Sequence, residues 1–390
     1  MCDLNVYNLI EEGTTKILTP ISNKSDKIIS NVPVFFNPIM ELNRDISIAV
    51  TAVFVNRLIE KKNICLSDIR YADALAASGV RGVRIANEIG LDTTINDWKQ
   101  SSYNLIKKNI QLNSLEKLAK ATHNNANVLL YSDAYHIVDI DPFGSPSQFL
   151  DAACKSVVNL LEITATDTAP LCGAHLNSGI RKYSAVPFNN EYHSEMGVRI
   201  LLGKVAFELA KHDKGMVPLL SHATKHYIRT YLEIEKGAKN ANRTLKNIGY
   251  IVHCIQCGHR ESLKGIAIAI DKYCKLCGKK VNIAGPIWLG ILHTKEFLSD
   301  VLIEIENRCL STKLIATKII SLCKYELDTP TFYDQHKICK SLKISAKDMN
   351  SLIELLKKNG FKASRTHFNG TSFKTDAEIT IIKEIVATIE

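Results

Sequence analysis

No stretch of this 390-residue chain approaches the ~20 consecutive apolar residues that a membrane-crossing helix requires. The opening residues, Met1-Cys2-Asp3-Leu4-Asn5, lack a basic segment followed by an apolar run, so a cytoplasmic protein is expected rather than a secreted one. Internal repeats and low-complexity tracts are missing. So is an even set of cysteines. There are 11 in a long chain without an export signal, and a disulfide framework is not expected. What is present is the balance of a globular protein, 46% hydrophobic and 23% charged residues, in a chain long enough for two or three domains. The formal net charge of +9 favours a polyanionic partner if the excess is clustered, and nothing in particular if it is spread evenly.

The first 45 residues read as irregular, punctuated by Pro20, Pro33 and Pro38. Ile46, Val50, Val53, Phe54 and Leu58 then fall near helical spacing. From Tyr71 strands and helices alternate. The pattern predicts strands over 71–75, 92–96, 128–131, 137–140 and 160–166, with helices to about Ile89 and over 99–113 and 145–158. This alternation implies a parallel α/β sheet, with Met216–Leu220 and Tyr227–Ile234 as later antiparallel strands. A basic stretch, Lys236 to Lys246, and a cysteine-bearing segment follow. Helices are predicted over 297–308, 314–324, 332–342 and 346–359, and a strand over 361–368. Helix, turn, helix, strand suggests a winged-helix-like module. The expected domains are 1–250, 251–290 and 291–390.

Asp73 closes a strand and is followed by Ser78-Gly79-Val80-Arg81-Gly82, the acid-turn-helix arrangement of a nucleotide pocket. The turn is not Gly-x-Gly-x-x-Gly and no Gly-Lys-Ser/Thr follows, which disfavours a phosphate-binding loop. Asp97 ends the next strand, where it can accept hydrogen bonds from ribose hydroxyls. NAD enzymes and methyltransferases share that device. Asp133, with Ala134 beside it, follows the next strand candidate and is positioned to accept from an adenine amino group.

Asp141-Pro142-Phe143-Gly144 lies at the end of a central strand, where open α/β sheets bind their ligands. The exocyclic amine of a base is a poor nucleophile, because its lone pair is delocalised into the ring. A carboxylate accepting its N–H localises that pair and takes up the proton. Pro142 restricts the backbone, Phe143 offers a stacking face worth ~1–3 kcal/mol, and Gly144 permits close approach. Alone, the tetrapeptide reads equally as a strand-end turn. The ordered acids and glycines before it favour the chemical reading.

Several segments together resemble the archaeal form of the tRNA (guanine-26, N2) dimethyltransferase family. They are Glu12-Gly13, Phe36-Asn37-Pro38 with Met40 and Asn43-Arg44-Asp45, Asp73 through Gly82, Asp141 through Pro146, Thr164 through Gly173, Arg181-Lys182-Tyr183 and Ser364 through Phe368. The resemblance implies a Rossmann-like class I methyltransferase sheet followed by a smaller α+β part. It implies transfer of one or two methyl groups from S-adenosylmethionine to N2 of a tRNA guanine, with Asp141 as the carboxylate and Phe36 and Phe143 flanking the base. It further implies that Arg44, Arg70 or Arg81, Asp97 and Asp133 line the donor pocket. One departure stands out. The family pattern places His directly before Glu195, where this chain has Ser194 and carries His193 one place earlier.

Cys254-x-x-Cys257 and Cys274-x-x-Cys277, separated by 16 residues, have the spacing of a zinc-ribbon-like module with four thiolates around a structural Zn²⁺. Lys264, Lys272, Lys275, Lys279 and Lys280 surround it, either as an RNA-contacting knob or as a solvated basic face. Lys357, Lys358, Lys362, Arg365 and Lys374 cluster near His367 and Phe368, a mixture suited to RNA phosphates and splayed bases. The expected partner is tRNA, with no membrane and no obligatory protein partner. Three rival functions remain at this level: a nicotinamide oxidoreductase, a zinc-based nucleic-acid adaptor without activity, and an adenine-N6 methyltransferase.

Overall fold

A computed structural model describes residues 7–21 and 34–388; Cys2 and Pro33 lie outside them. Residues 7–20 form a hairpin rather than an irregular segment. β1 (Tyr7–Glu12) pairs with β2 (Thr15–Pro20), and Gly13 makes the turn at φ +60°. α1 (Glu41–Lys62) follows, buried on nearly all sides and stopped by Asn63 in the left-handed conformation.

Next come β3 (Arg70–Asp73), α2 (Val80–Ile89), β4 (Asp92–Asn96), α3 (Gln100–Leu112), β5 (Ala119–Thr122), α4 (Ala126–Ser132), β6 (Tyr135–Ile140), α5 (Leu150–Ser156) and β7 (Val157–Ala165). After α6 (Thr168–Leu171), α7 (Leu176–Tyr183) and α8 (His193–Ala210), the hairpin of β8 (Lys214–Thr224) and β9 (Tyr227–Lys236) completes a seven-stranded sheet of order β5-β4-β3-β6-β7-β9-β8. β3 to β7 are parallel and β9 is antiparallel to β7. The expected α/β sheet is therefore present, with one strand elsewhere than predicted. Residues 128–131 belong to helix α4, which buries Leu129 and Leu130, exposes Val128 and Tyr131, and is N-capped by Asn125. The strand is β5, a four-residue Ala-Lys-Ala-Thr segment too short and too polar to stand out by pattern.

α9 (Ala238–Leu245) takes up the basic stretch. β10 (Ile248–His253), β11 (Arg260–Lys264) and β12 (Asn282–Trp288) form a three-stranded sheet that carries the cysteine pairs. α10 (Lys295–Asn307) and α11 (Lys313–Tyr325) do not join the carboxyl-terminal module. Phe297, Val301, Ile305 and Ile320 pack with Ile46, Val50 and Val53 of α1 and with Tyr71 and Tyr231 of the sheet. The final module comprises β13 (Tyr333–Asp334), α12 (Gln335–Leu342), α13 (Met349–Lys358), β14 (Ala363–Arg365), β15 (Ser372–Thr375) and α14 (Ile379–Ala387). It has a separate core around Leu352, Leu356, Phe373 and Ile382. Residues 332–342, predicted as one helix, divide because Asp334 caps α12 by accepting from the Lys337 N–H.

Buried polar contacts moor this module. Arg260 of β11 pairs with Glu191, lies over the rings of Tyr192 and Tyr333 at 4.5 and 4.1 Å, and donates to the Phe332 carbonyl at 2.6 Å. Lys374, fully buried, contacts Glu195 at 3.2 Å and Glu326 at 2.9 Å, while His367 donates to Glu326 at 2.8 Å. Phe368 stacks on Phe332. Lys374, His367 and Phe368 are thus anchors between modules rather than surface groups for RNA. No helix among the described residues is long and apolar enough to cross a membrane.

Removing Arg260 takes away the close partner of Glu191 and leaves it only Lys337 at 3.9 Å, a loss of at most roughly 3–5 kcal/mol, the scale of a broken buried pair. We expect Arg260→Ala to raise amide exchange across 333–386 while the strands of the main sheet stay protected. Uniform loss of protection throughout the chain would contradict a local mooring role.

Candidate active site

The carboxyl ends of β3, β4, β5 and β6 converge on one edge of the sheet. After β3 the chain turns through Ala77, at φ +48°, and Gly79, at φ +79°, into α2. A Cβ on Gly79 would stand 2.9 Å from Ile106, and one on Gly82 would stand 2.7 Å from Ile95. Both glycines are therefore needed to seat the turn against the neighbouring elements. Asp73 accepts from the Gly82 N–H at 3.0 Å. Asp97, at the end of β4, accepts from the Ala77 N–H at 2.9 Å and the Lys99 N–H at 2.8 Å, and burial lifts its carboxyl above the usual range. It braces the glycine turn from the adjacent strand.

Asn96 is a functional neighbour that sequence reasoning missed. Its side chain donates to the carbonyls of Ala74 and Asn124 and accepts from the Asn124 N–H and the Thr122 hydroxyl. It ties three strand ends together. The loop after β5, Asn124-Asn125-Ala126, consequently reaches this edge. Placing the third strand at 119–122 would have identified it.

Asp133 and Ala134 lie elsewhere. They precede β6, and Asp133 forms a bidentate pair with Arg70, at the start of β3, at 3.0 and 2.6 Å. This bond holds the Asp133 carboxyl below its usual range. The six residues of β6, at about 3.3 Å each, separate this pair from the ligand edge by roughly 20 Å. The structure does not bring Asp133, Ala134 or Arg70 to the site. The misplaced strand at 128–131 is the reason they were expected there.

Asp141 follows β6 directly, with its side chain 23% exposed, and Arg81 of α2 binds its Oδ2. Arg81 also donates from Nε to Asp139 at 2.7 Å. Arg229 holds the other oxygen of Asp139 at 2.6 Å and Glu162 at 2.7 Å. Gly144, at φ +83°, donates to the Thr166 hydroxyl at 2.8 Å, and its carbonyl accepts from the Thr166 N–H at 3.0 Å, so the 164–173 segment buckles onto the tetrapeptide. Phe143 is 66% exposed. The ring meeting it is Phe35, edge-on at 4.1 Å, and not Phe36. Phe36 packs against the apolar cluster that includes Val80 and Ile106 and carries Arg44 over its face at 5.2 Å. Arg44 itself is paired with Glu12. Together these groups form a cleft with a carboxylate at its base and aromatic rings at its mouth, beside a glycine turn and a ring of strand-end polar groups. Such a cleft suits an adenosine-bearing ligand next to a flat base.

The two cysteine knuckles are built alike. Cys254 and Cys274 donate N–H to the carbonyls of His259 and Lys279, and Gly258 and Gly278 return N–H to Cys254 and Cys274. All four sulfurs lie within 4.8 Å of one another, with Cys254–Cys277 at 3.4 Å and Cys257–Cys274 at 3.6 Å. A tetrahedral ion with bonds of about 2.3 Å to sulfur needs about 3.8 Å between ligands, so the donor set fits zinc. His293, Cys323 and His367 also lie close together. The Lys374 ammonium beside Glu326 already supplies the cation there.

The family model for N2,N2-dimethylguanosine tRNA methyltransferase matches residues 13–387. A tRNA (guanine(26)-N(2))-dimethyltransferase of Methanosarcina mazei is 57% identical, covering 98% of both chains. One from Methanobrevibacter smithii is 45% identical over 97% of both. Among solved structures, Trm1 from Pyrococcus horikoshii in complex with S-adenosyl-L-methionine is similar with a TM-score of 0.85 at 35% identity, covering 97% of this chain and 99% of that one.

Burial, with Asp139 beside it, pushes Asp73 up to about 8, and burial pushes Glu162 up to about 7. Carboxyls raised in the fold keep protons that the unfolded chain has released. The stability they contribute is complete near about pH 4 and is lost as pH rises toward about 8. Buried His222, His253 and His293, held below their usual range, act in the opposite sense in both proteins, so we expect it to be the advantage of ligand-free wild type over Asp73→Asn in unfolding midpoint that falls across that range in thermal scans. An identical slope in both proteins would contradict this origin.

Proposed function

This chain belongs to the N2,N2-dimethylguanosine tRNA methyltransferase family, and from that membership and its cleft we propose how its residues carry out the reaction. It is an S-adenosylmethionine-dependent enzyme that methylates N2 of guanine 26 in tRNA. S-Adenosylmethionine, when bound, supplies a methyl group made electrophilic by a sulfonium. Asp97 accepts from the ribose hydroxyls, the backbone of the Gly79 turn lies along the donor, and the Asn124-Asn125-Ala126 loop faces its adenine. Phe143 and Phe35 hold the guanine between their rings, which requires Phe35 to swing out of its present contact with Phe143. Asp141 accepts an N–H of the exocyclic amine, directs the nitrogen lone pair to the methyl carbon, and takes the proton that leaves as the N–C bond forms and the methyl–sulfur bond breaks, its electron pair leaving with S-adenosylhomocysteine. After the first transfer one N–H remains on N2, and once Asp141 has passed its proton to solvent the regenerated carboxylate can direct a second.

The observation that carries this reading is Asp141 itself, a partly exposed carboxylate anchored through one oxygen at the strand end, next to an exposed aromatic ring. Rival functions lose support: a hydride-transferring enzyme has no use for this carboxylate and ring, and a passive adaptor has no use for the donor pocket. Zn²⁺ holds the two knuckles together as a structural ion. Lys357, Lys358 and Lys362, with Arg365 near them, remain on the surface of the last module beside exposed Lys337, Lys340, Lys343 and Lys347, within reach of tRNA phosphates, and the enzyme works in the cytoplasm, where tRNA is found.

Asp141→Asn keeps the shape but not the proton acceptor. We expect a loss of about 10²–10⁴-fold in single-turnover methylation, with S-adenosylhomocysteine affinity unchanged in calorimetry. Nucleoside digestion and mass spectrometry of wild-type product should yield N2-methylated guanosine. Parental rates in the variant, or N6-methyladenosine in the digest, would overturn the mechanism. Chelating the metal should release one zinc per chain and expose residues 251–290 to protease first, without abolishing S-adenosylhomocysteine binding. Simultaneous loss of donor binding would contradict a purely structural ion.

A further inference from the structure

Beside Phe143 two residues of α7 and one strand-end acid meet in a network that no step of the methyl transfer uses. Thr166 grips Gly144, and Asp167 follows it at the head of α6. The last turn of α7 brings Lys182 and Tyr183 up against that acid. Tyr183 is buried. Its hydroxyl donates to Asp167 Oδ1 at 2.6 Å, and its oxygen lies 2.9 Å from the Ser145 hydroxyl. Burial, with Asp167 beside it, raises the Tyr183 phenol well above its usual range, so it remains the donor. Lys182 donates to Asp167 Oδ2 at 3.1 Å. The network is thus fastened to Gly144 and Ser145, the two residues after Phe143, whereas Asp141 comes two residues before it.

Lys182 differs from its partners in being accessible. Its side chain is 40% exposed, against 10% for Asp167. An ammonium has three N–H groups, and Asp167 accepts the only bond that Lys182 makes among the described residues. A half-exposed pair of this kind adds little to stability. What Asp167 achieves is to hold a cation with unused donors beside an exposed aromatic ring. We propose that Lys182 donates to the O6 and N7 acceptors of the target guanine and so makes the site choose guanine over adenine. A base lying over Phe143 with its N2 at Asp141 turns its O6–N7 edge to the other side of the ring, toward the residues that grip Gly144 and Ser145. Lysine and arginine meet guanine at this edge in the commonest base-specific contact. Adenine would present its N6 amine there, donor against donor. The inference rests on the guanine N2 lying at Asp141.

Lys182→Met keeps the length of the side chain and removes its donors. It tests the proposal in the full-length enzyme, with tRNA carrying either guanine or 2,6-diaminopurine at position 26. Both bases have the reacting N2 amine, and diaminopurine has an amine in place of O6. We expect single-turnover methylation of guanine, at saturating donor and tRNA, to fall about 5–100-fold, the scale of one lost base contact. The wild-type preference for guanine over diaminopurine should shrink by a similar factor, because the variant no longer sets donor against donor. S-adenosylhomocysteine affinity should stay within about twofold of wild type. A guanine rate within about twofold of wild type would overturn the proposal, and this rate decides alone where diaminopurine reacts too slowly to follow. Equal losses on the two bases would also overturn it, and a shallower salt dependence of tRNA binding would then mark Lys182 as a phosphate contact. So would a loss of about tenfold or more in S-adenosylhomocysteine affinity, which would make Lys182 a ligand of the methyl donor. Full activity of Asp141→Asn, or N6-methyladenosine in the digest of wild-type product, would instead sink the underlying mechanism, a separate outcome.

Discussion

The site depends on a buried network of charge beneath the ligand edge of the sheet. Arg81 and Arg229 alternate with Asp141, Asp139 and Glu162 in an unbroken chain of contacts. It joins α2, β6, β7 and β9, and Ser47 and Thr51 bring in α1 through hydrogen bonds to the arginines and to Glu162. Burying so many charges gains little stability over an apolar core of the same shape, while removing any one leaves its partner stranded. What the network supplies is a fixed location. A carboxylate on a strand-end loop is held as firmly as the sheet itself.

The same economy of construction recurs around the donor pocket. Asp97, Asn96 and Gly82 satisfy or make room for neighbouring backbone, so that each strand-end loop is braced by the next. A second, smaller set of buried ions does comparable work at the other end of the molecule. Glu195 of α8 receives the Thr331 N–H and Lys374, and Glu191 receives Arg260. The segment 191–199 is thereby the seat of the carboxyl-terminal module. His193, displaced by one place from the family pattern, is exposed and bonded to the Asn190 carbonyl, away from that seat.

Features set by local chemistry were legible in the sequence. The acid, glycine turn and second acid at 73, 79 and 97 announce a pocket because each performs a backbone task at fixed spacing. Cys254, Cys257, Cys274 and Cys277 announce a metal for the same reason. What was not legible depended on tertiary neighbours. A four-residue strand at 119–122 carries almost no apolar signal, while Val128-Leu129-Leu130-Tyr131 carries a strong one that belongs to a helix, and that exchange sent Asp133 and Ala134 to the wrong edge. Phe35 and Phe36 are adjacent aromatics, and only packing decides which turns inward with Arg44 and which meets Phe143. Lys374 looks like a surface cation until Glu195 and Glu326, far away in sequence, close around it.

The central claim is that the Asp141 carboxylate accepts from the amine that is methylated. The most direct measurement is a structure of the enzyme with S-adenosylhomocysteine and tRNA bound. The account predicts the guanine between Phe35 and Phe143, with its N2 about 3 Å from the Asp141 carboxylate. A guanine N2 beyond about 5 Å from Asp141 would contradict it.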